Sequence, residues 1–124
     1  MSLKVIAKKD KKLEDLDDLS EYIRSKAPQL KLTDFSDITI QLRDNLRTEF
    51  SSQNQGFLFD ADTGKIFALN ITAAFIFSKI KEELPLAEVI KQLIMGFDVE
   101  ESQAISDLQN FIYQLRELGI GVKG

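Results

Sequence analysis

The sequence predicts an α+β domain: a three-stranded antiparallel sheet followed by three helices, with a helical arm in front. Three observations predict it. Residues 56–70, GFLFDADTGKIFALN, hold two apolar, strand-like runs on either side of Asp60-Ala-Asp-Thr-Gly64. Residues 38–42 alternate apolar and polar side chains. Three short amphipathic segments then follow in succession and end at Leu118.

The arm covers residues 1–37 and is set apart by its charge. Lys4, Lys8, Lys9, Lys11 and Lys12 stand against Asp10 alone, and then Glu14, Asp15, Asp17, Asp18 and Glu21 follow without a base. Leu13, Leu16, Leu19 or Ser20, and Ile23 recur at roughly helical spacing, so a short helix is expected over about 13–26. Its acidic first turns suit the positive end of the helix dipole. Pro28 ends it, because the residue before a proline avoids the helical region. Two readings fit this arm: a solvated helix with a basic tail, or an arm that docks on a partner enzyme.

The second unit, residues 38–124, opens on Ile38, Ile40 and Leu42, which alternate with Thr39, Gln41 and Arg43 as a strand with one wet face does. The polar stretch 44–55 reads as a loop or a ragged strand. In the hairpin, Asp and Thr suit the first turn positions and Gly64 takes the left-handed conformation that returns the chain. Its second strand, Ile66 to Leu69, is apolar at four consecutive positions, so both faces carry hydrophobic side chains. In a domain this small the second face is odd unless something covers it.

Asn70 is the expected N-cap of a helix over about 71–83. Pro85 sets the start of the next, with Val89, Ile90, Leu93, Ile94 and Phe97 on one face and Gly96 and Asp98 closing it. The last helix carries Ala104, Ile105, Leu108, Phe111, Ile112, Leu115 and Leu118, a wide stripe ended by Gly119. Asp98 and Glu101 have the spacing of a capping box. One flank of so wide a stripe fills the core, and the other is left for a partner.

Composition narrows the chemistry. The 124 residues suffice for one core, and nine Phe with no Trp make Phe the main bulky filler. The chain contains neither His nor Cys, which removes the imidazole base, the thiolate nucleophile, the Cys/His zinc site and any disulfide. Absence of Cys fits a reducing, cytoplasmic setting. No apolar run approaches the roughly 18 residues of a membrane span, and the first residues lack the long apolar core of a signal peptide. Asp60-x-Asp62-x-Gly64 begins like a calcium loop, but the position that needs a bidentate Glu is Ile71, so the segment reads as a turn and no metal is expected. The sequence places no carboxylate pair on facing elements, and Gly64-Lys65 lacks the upstream glycine and following hydroxyl of a phosphate loop. The sequence therefore reads as a binding protein without cofactor rather than an enzyme.

A strand, a hairpin and three helices also make the domain winged-helix-like, which raises DNA binding. A recognition helix needs basic or polar residues where it meets phosphates. Glu100, Glu101, Asp107 and Glu117 stand there against Arg116 alone, and the whole chain carries a net charge of −4. Neither nucleic acid nor an anionic membrane is an expected partner.

The order and spacing of these pieces over about 38–120 resemble the PqqD-like family, the RiPP recognition element. The resemblance rests on an apolar strand and a Gly turn, then Leu69-Asn70 opening a helix. It continues with Leu86-Ala-Glu88-Val89 at the start of a second helix, and with Asp107-Leu-Gln-Asn-Phe111-Ile-Tyr-Gln-Leu115 in a third. It implies a peptide chaperone that holds the leader of a ribosomally made precursor peptide and presents it to a modifying enzyme, commonly of the radical SAM type. In such proteins the leader adds as an extra strand to the sheet edge and lies against the third helix. Carried onto this chain, the resemblance implies an edge of Ile66, Phe67, Ala68 and Leu69 facing Asp107, Leu108, Phe111, Ile112 and Leu115. Lys81-Glu-Glu83 and Ile120 depart from members that serve pyrroloquinoline quinone synthesis, which points to another peptide or to a divergent member whose peptide binding is lost. A homodimer joined through the exposed strand edge is the alternative, since an unpaired apolar edge recruits another copy.

Overall fold

A computed structural model describes residues 3–7, 12–43, 45–50 and 55–120. The order of elements is β1 (Leu3–Ile6), α1 (Leu16–Lys26), β2 (Thr39–Leu42), β3 (Leu46–Phe50), β4 (Gly56–Asp60), β5 (Lys65–Leu69), α2 (Ile71–Lys81), α3 (Leu86–Phe97) and α4 (Glu101–Glu117). A single 3₁₀ turn, Leu32–Phe35, lies between α1 and β2.

There are two antiparallel sheets rather than one. The alternating strand at 39–42 forms as expected, but it pairs with β1, with Val5 opposite Ile40 and Leu3 opposite Leu42. The three-stranded sheet has the order β3-β4-β5, and its first strand comes from the polar stretch read as a loop or ragged strand. Arg47 lies opposite Phe59 and Thr48 opposite Leu58; across the hairpin Leu58 lies opposite Phe67 and Phe59 opposite Ile66. Gly64 turns the chain at φ 75°, in the left-handed region expected of it.

The helices close one core over both sheets. Asn70 caps α2, its side chain accepting from the Ala73 amide at 2.7 Å. Pro85 precedes α3, which ends on Asp98 in the left-handed conformation at φ 53°. That conformation commits Asp98 to ending α3, so the capping box expected with Glu101 does not form. The Glu101 carboxylate instead accepts from the Leu32 amide at 3.4 Å. Gly119, at φ 76°, follows α4 as a helix-ending glycine does. Phe35, Ile40, Leu58, Phe77, Ile90, Leu108 and Leu115 are all fully buried in one cluster.

The first residues of the chain join that cluster. Leu3, Val5, Leu16, Leu19 and Ile23 are buried in it. The side chain of Asp15 caps α1 by accepting from the Asp18 amide at 2.9 Å. Tyr22 donates its hydroxyl to the Asp34 carbonyl at 2.7 Å, and Arg116 of α4 donates to Asp17 at 2.9 Å and Ser20 at 3.2 Å. Burying three aliphatic side chains of α1 removes on the order of 5 kcal/mol worth of apolar surface from water. The polar contacts add register more than energy.

Candidate functional site

The strand β5 is an edge. It pairs with β4 on one side, and no strand pairs with its other side among the described residues. From Ile66 to Leu69 its side chains alternate. Phe67 and Leu69 turn inward with Leu58, while Ile66 is 64 % exposed and Ala68 is exposed. The outer face of the sheet is apolar as well. Phe57, Phe59 and Ile66 line a shallow concavity of about 440 Å³ with Glu49 at its rim. This is the two-sided hydrophobic character read in the sequence, and nothing in the chain covers it among the described residues.

At its far end β5 runs directly into α2, opposite the middle of α4. A small cavity of about 90 Å³ lies in that corner, bounded by Asn70, Thr72, Asp107, Asn110, Phe111 and Gln114. Its walls are mostly polar. The Gln114 side-chain oxygen is buried there without a hydrogen-bond partner, an acceptor that desolvation makes costly to leave unpaired. Asp107 accepts from Gln103 at 2.9 Å, so its carboxylate is braced along the helix. Beside the same corner, Gln55 donates its side-chain amide to the Leu69 carbonyl at 3.0 Å.

The residues named from the sequence fall into two groups. Ile66, Phe67, Ala68 and Leu69 do form the edge, with Ile66 and Ala68 outward and Phe67 and Leu69 inward. On α4, Asp107 and Phe111 reach the corner cavity. Leu108 and Leu115 do not: both are fully buried, and they back the site without lining it. Ile112 lines a different cleft, between α4 and α1. The physical reason is that the wide stripe of α4 is used on both flanks. One packs on α2 and α3, and the other is covered by α1, the flank that the sequence left open for a partner. Asn110 and Gln114, polar neighbours of the stripe, could not be singled out from a pattern of apolar spacing.

The turn that joins β4 to β5 is built by Asp60. Its carboxylate accepts from the Asn45 side chain and from the Asp62 amide, both at 3.0 Å. The Asn45 hydrogen bond, followed by those from the turn, holds the carboxyl below the ordinary carboxylate value against the opposing effect of burial. Those oxygens are occupied by the turn itself. Among the described residues no cluster of carboxylates could hold a metal ion, and no helix is long and apolar enough to cross a membrane.

Comparison with known proteins bears on this edge. The family model described as coenzyme PQQ synthesis protein D (PqqD) matches residues 55–120. No curated protein matches the chain. Two solved structures share the fold. One is TbiB1 in complex with the TbiA(beta) leader peptide, 19 % identical with a TM-score of 0.53, covering 66 % of this chain and 96 % of that one. The other is a lasso peptide synthetase B1 complexed with the leader peptide, 25 % identical with a TM-score of 0.54, covering 67 % of this chain and 96 % of that one.

Proposed function

This chain belongs to the PqqD family, and from that premise we propose that it binds the leader segment of a ribosomally made precursor peptide and presents it to a modifying enzyme. The observation that carries the reading is the unpaired, apolar strand β5, which runs into the corner cavity beside α4. Structural neighbours of the same fold were solved with leader peptides bound.

The chemistry of the edge suits an extended peptide. Backbone groups along Ile66–Leu69 supply main-chain hydrogen bonds to an added strand, which gives affinity without regard to sequence. Specificity then comes from alternate side chains of the peptide. Those on one face meet Ile66 and Ala68; those on the other approach Phe67, Asp107 and Phe111, with Asn110 and Gln114 as hydrogen-bonding groups at the end of the groove. Leu108, Ile112 and Leu115 hold α4 at the right distance from the strand. The chain itself performs no chemistry in this reading, and the enzyme it serves is of the radical SAM type that such proteins commonly accompany.

Capture of peptides from the native organism's lysate on the immobilised chain, followed by calorimetry with the recovered peptide, tests the proposal. Saturable binding with a negative heat-capacity change is expected, together with slowed amide exchange confined to β5. Recovery of the chain alone, with mass rising as concentration rises, would overturn it in favour of self-pairing through the same edge.

A further inference from the structure

We infer that the cleft between α1 and α4 is a second contact site for the same peptide, and that it takes a carboxylate-bearing residue from the flank that leaves the β5 edge. The inference rests on the peptide-binding reading above and adds a specificity element to it.

The cleft measures about 390 Å³ and neighbours the corner cavity, since Asn110 lines both. Its floor is aliphatic, from Ile23 and Ile112, and its polar wall includes two guanidinium groups, Arg24 and Arg116. Among the described residues no carboxylate lines it, in a chain whose net charge is −4. Arg116 is held in place by Asp17 and Ser20 through its Nε and Nη1 atoms. Its Nη2 has no partner among the described residues, and the side chain is 34 % exposed. Among the described residues Arg24 pairs only with Glu21, at 3.1 Å, with both side chains about 70 % exposed. Such a surface pair is worth little and exchanges readily.

An oriented, half-buried guanidinium beside an exposed one is an arrangement that holds a carboxylate by charge-assisted hydrogen bonds. The aliphatic floor accommodates the methylene stem of a Glu or Asp side chain. A peptide that occupies the β5 edge and passes Asn110 enters this cleft next. The helix α1 precedes the residues matched by the family, 55–120, so one wall of the cleft, with Arg24, is supplied by the arm of this chain and the other, with Arg116, by α4.

The test is a displayed library of random-sequence peptides long enough to span β5 and α4, selected on the full chain and on Arg24→Glu and Arg24→Ala. Arg24 is solvent-exposed, so both variants are expected to fold, which circular dichroism verifies. The wild-type chain is expected to enrich an alternating apolar segment with Asp or Glu at a fixed offset on one side. Arg24→Ala should weaken the acidic preference, with Arg116 still in place, and Arg24→Glu should replace it by Lys or Arg, with the apolar segment retained in both. A synthetic peptide carrying the selected sequence should bind Arg24→Glu about tenfold more weakly, with affinity restored by changing its acidic residue to Lys. Enrichment of the apolar segment with no acidic preference, or with one that Arg24→Glu leaves unmoved, overturns the cleft and spares the edge. Enrichment of no apolar segment at all overturns both.

Discussion

The two sheets of this protein are built from similar strands and differ in what they do with their second face. In β1–β2 the inward pairs are Leu3 with Leu42 and Val5 with Ile40, and Lys4 faces Gln41 on the outer side. The free side of β2 is met by the start of α3, with the Leu86 amide donating to the Ile38 carbonyl at 2.7 Å. That sheet is finished: one face is in the core, one is wet, and an edge is closed. The β3–β4–β5 sheet has an equally buried inner face, but its outer face carries Phe57, Phe59 and Ile66 and its β5 edge is unpaired. Exposed apolar surface and an unpaired edge are features that folding alone removes. The other sheet shows less of both: Ile6 is 44 % exposed, and the outer side of β1 is met by Glu14, whose carbonyl accepts from the Val5 amide at 3.0 Å. The larger apolar face and the open β5 edge mark the place where a partner strand belongs.

The contrast is sharpest between two isoleucines. Ile40 is 1 % exposed and Ile66 is 64 % exposed. Ile40→Ala should cost about 2–5 kcal/mol in urea denaturation, the range for emptying a packed aliphatic site. Ile66→Ala should stay within about 0.5 kcal/mol of the wild type, as surface substitutions do, while weakening peptide binding. If Ile66→Ala destabilised the chain as much as Ile40→Ala, the outer face would be core and the distinction between the sheets would fail.

A smaller effect is expected where the second sheet meets α2. A Cβ on Gly56 would lie 2.7 Å from the Ala74 Cβ and 3.2 Å from the Leu69 carbonyl oxygen. Neither neighbour is a flexible chain end, so Gly56→Ala should cost about 1–3 kcal/mol as an overpacked core does. Equilibrium denaturation would measure it. An unchanged midpoint would mean that the inner face of this sheet is looser than that of β1–β2, and the difference between the two would then lie on both faces.

Local signals carried most of the elements. The hairpin turn, the Asn70 cap, the Pro85 start and the Gly119 end each depend on one residue whose backbone or side-chain preference is strong. The elements that were not legible depend on pairing. The strand β3 has a polar sequence, and among its described side chains only Leu46 is buried; it is a strand because β4 lies beside it. Likewise β1, in a stretch that reads by its charge, is defined by β2. For the site, spacing located the edge strand and α4 but not which way Phe67 faced, since one residue of register reverses it. Nor did the stripe of α4 reveal that α1 would take its second flank. A helical pattern reports how much surface is apolar, not which neighbour covers it.

The two sheets should also differ in how they respond to acid, by the smallest of these effects. Cross-strand apolar pairs hold β1–β2, and those do not titrate. The β4–β5 turn is tied to the start of β3 through the Asp60 carboxylate and Asn45. Because Asp60 is held below its ordinary value when folded, its contribution is complete above the ordinary carboxylate range and is lost as the pH falls through the lower folded value. Protection of β4 and β5 amides should therefore decline in acid before that of β1 and β2, after correction for intrinsic exchange. In Asp60→Asn the order should disappear, because the hairpin then lacks the charge whether the solution is acidic or neutral. A difference between wild type and Asp60→Asn that stays constant from neutral to acidic pH would show the turn to be held by shape alone. The open sheet would then match the closed one in what fixes its strands, and differ from it only in the face and the edge it leaves free.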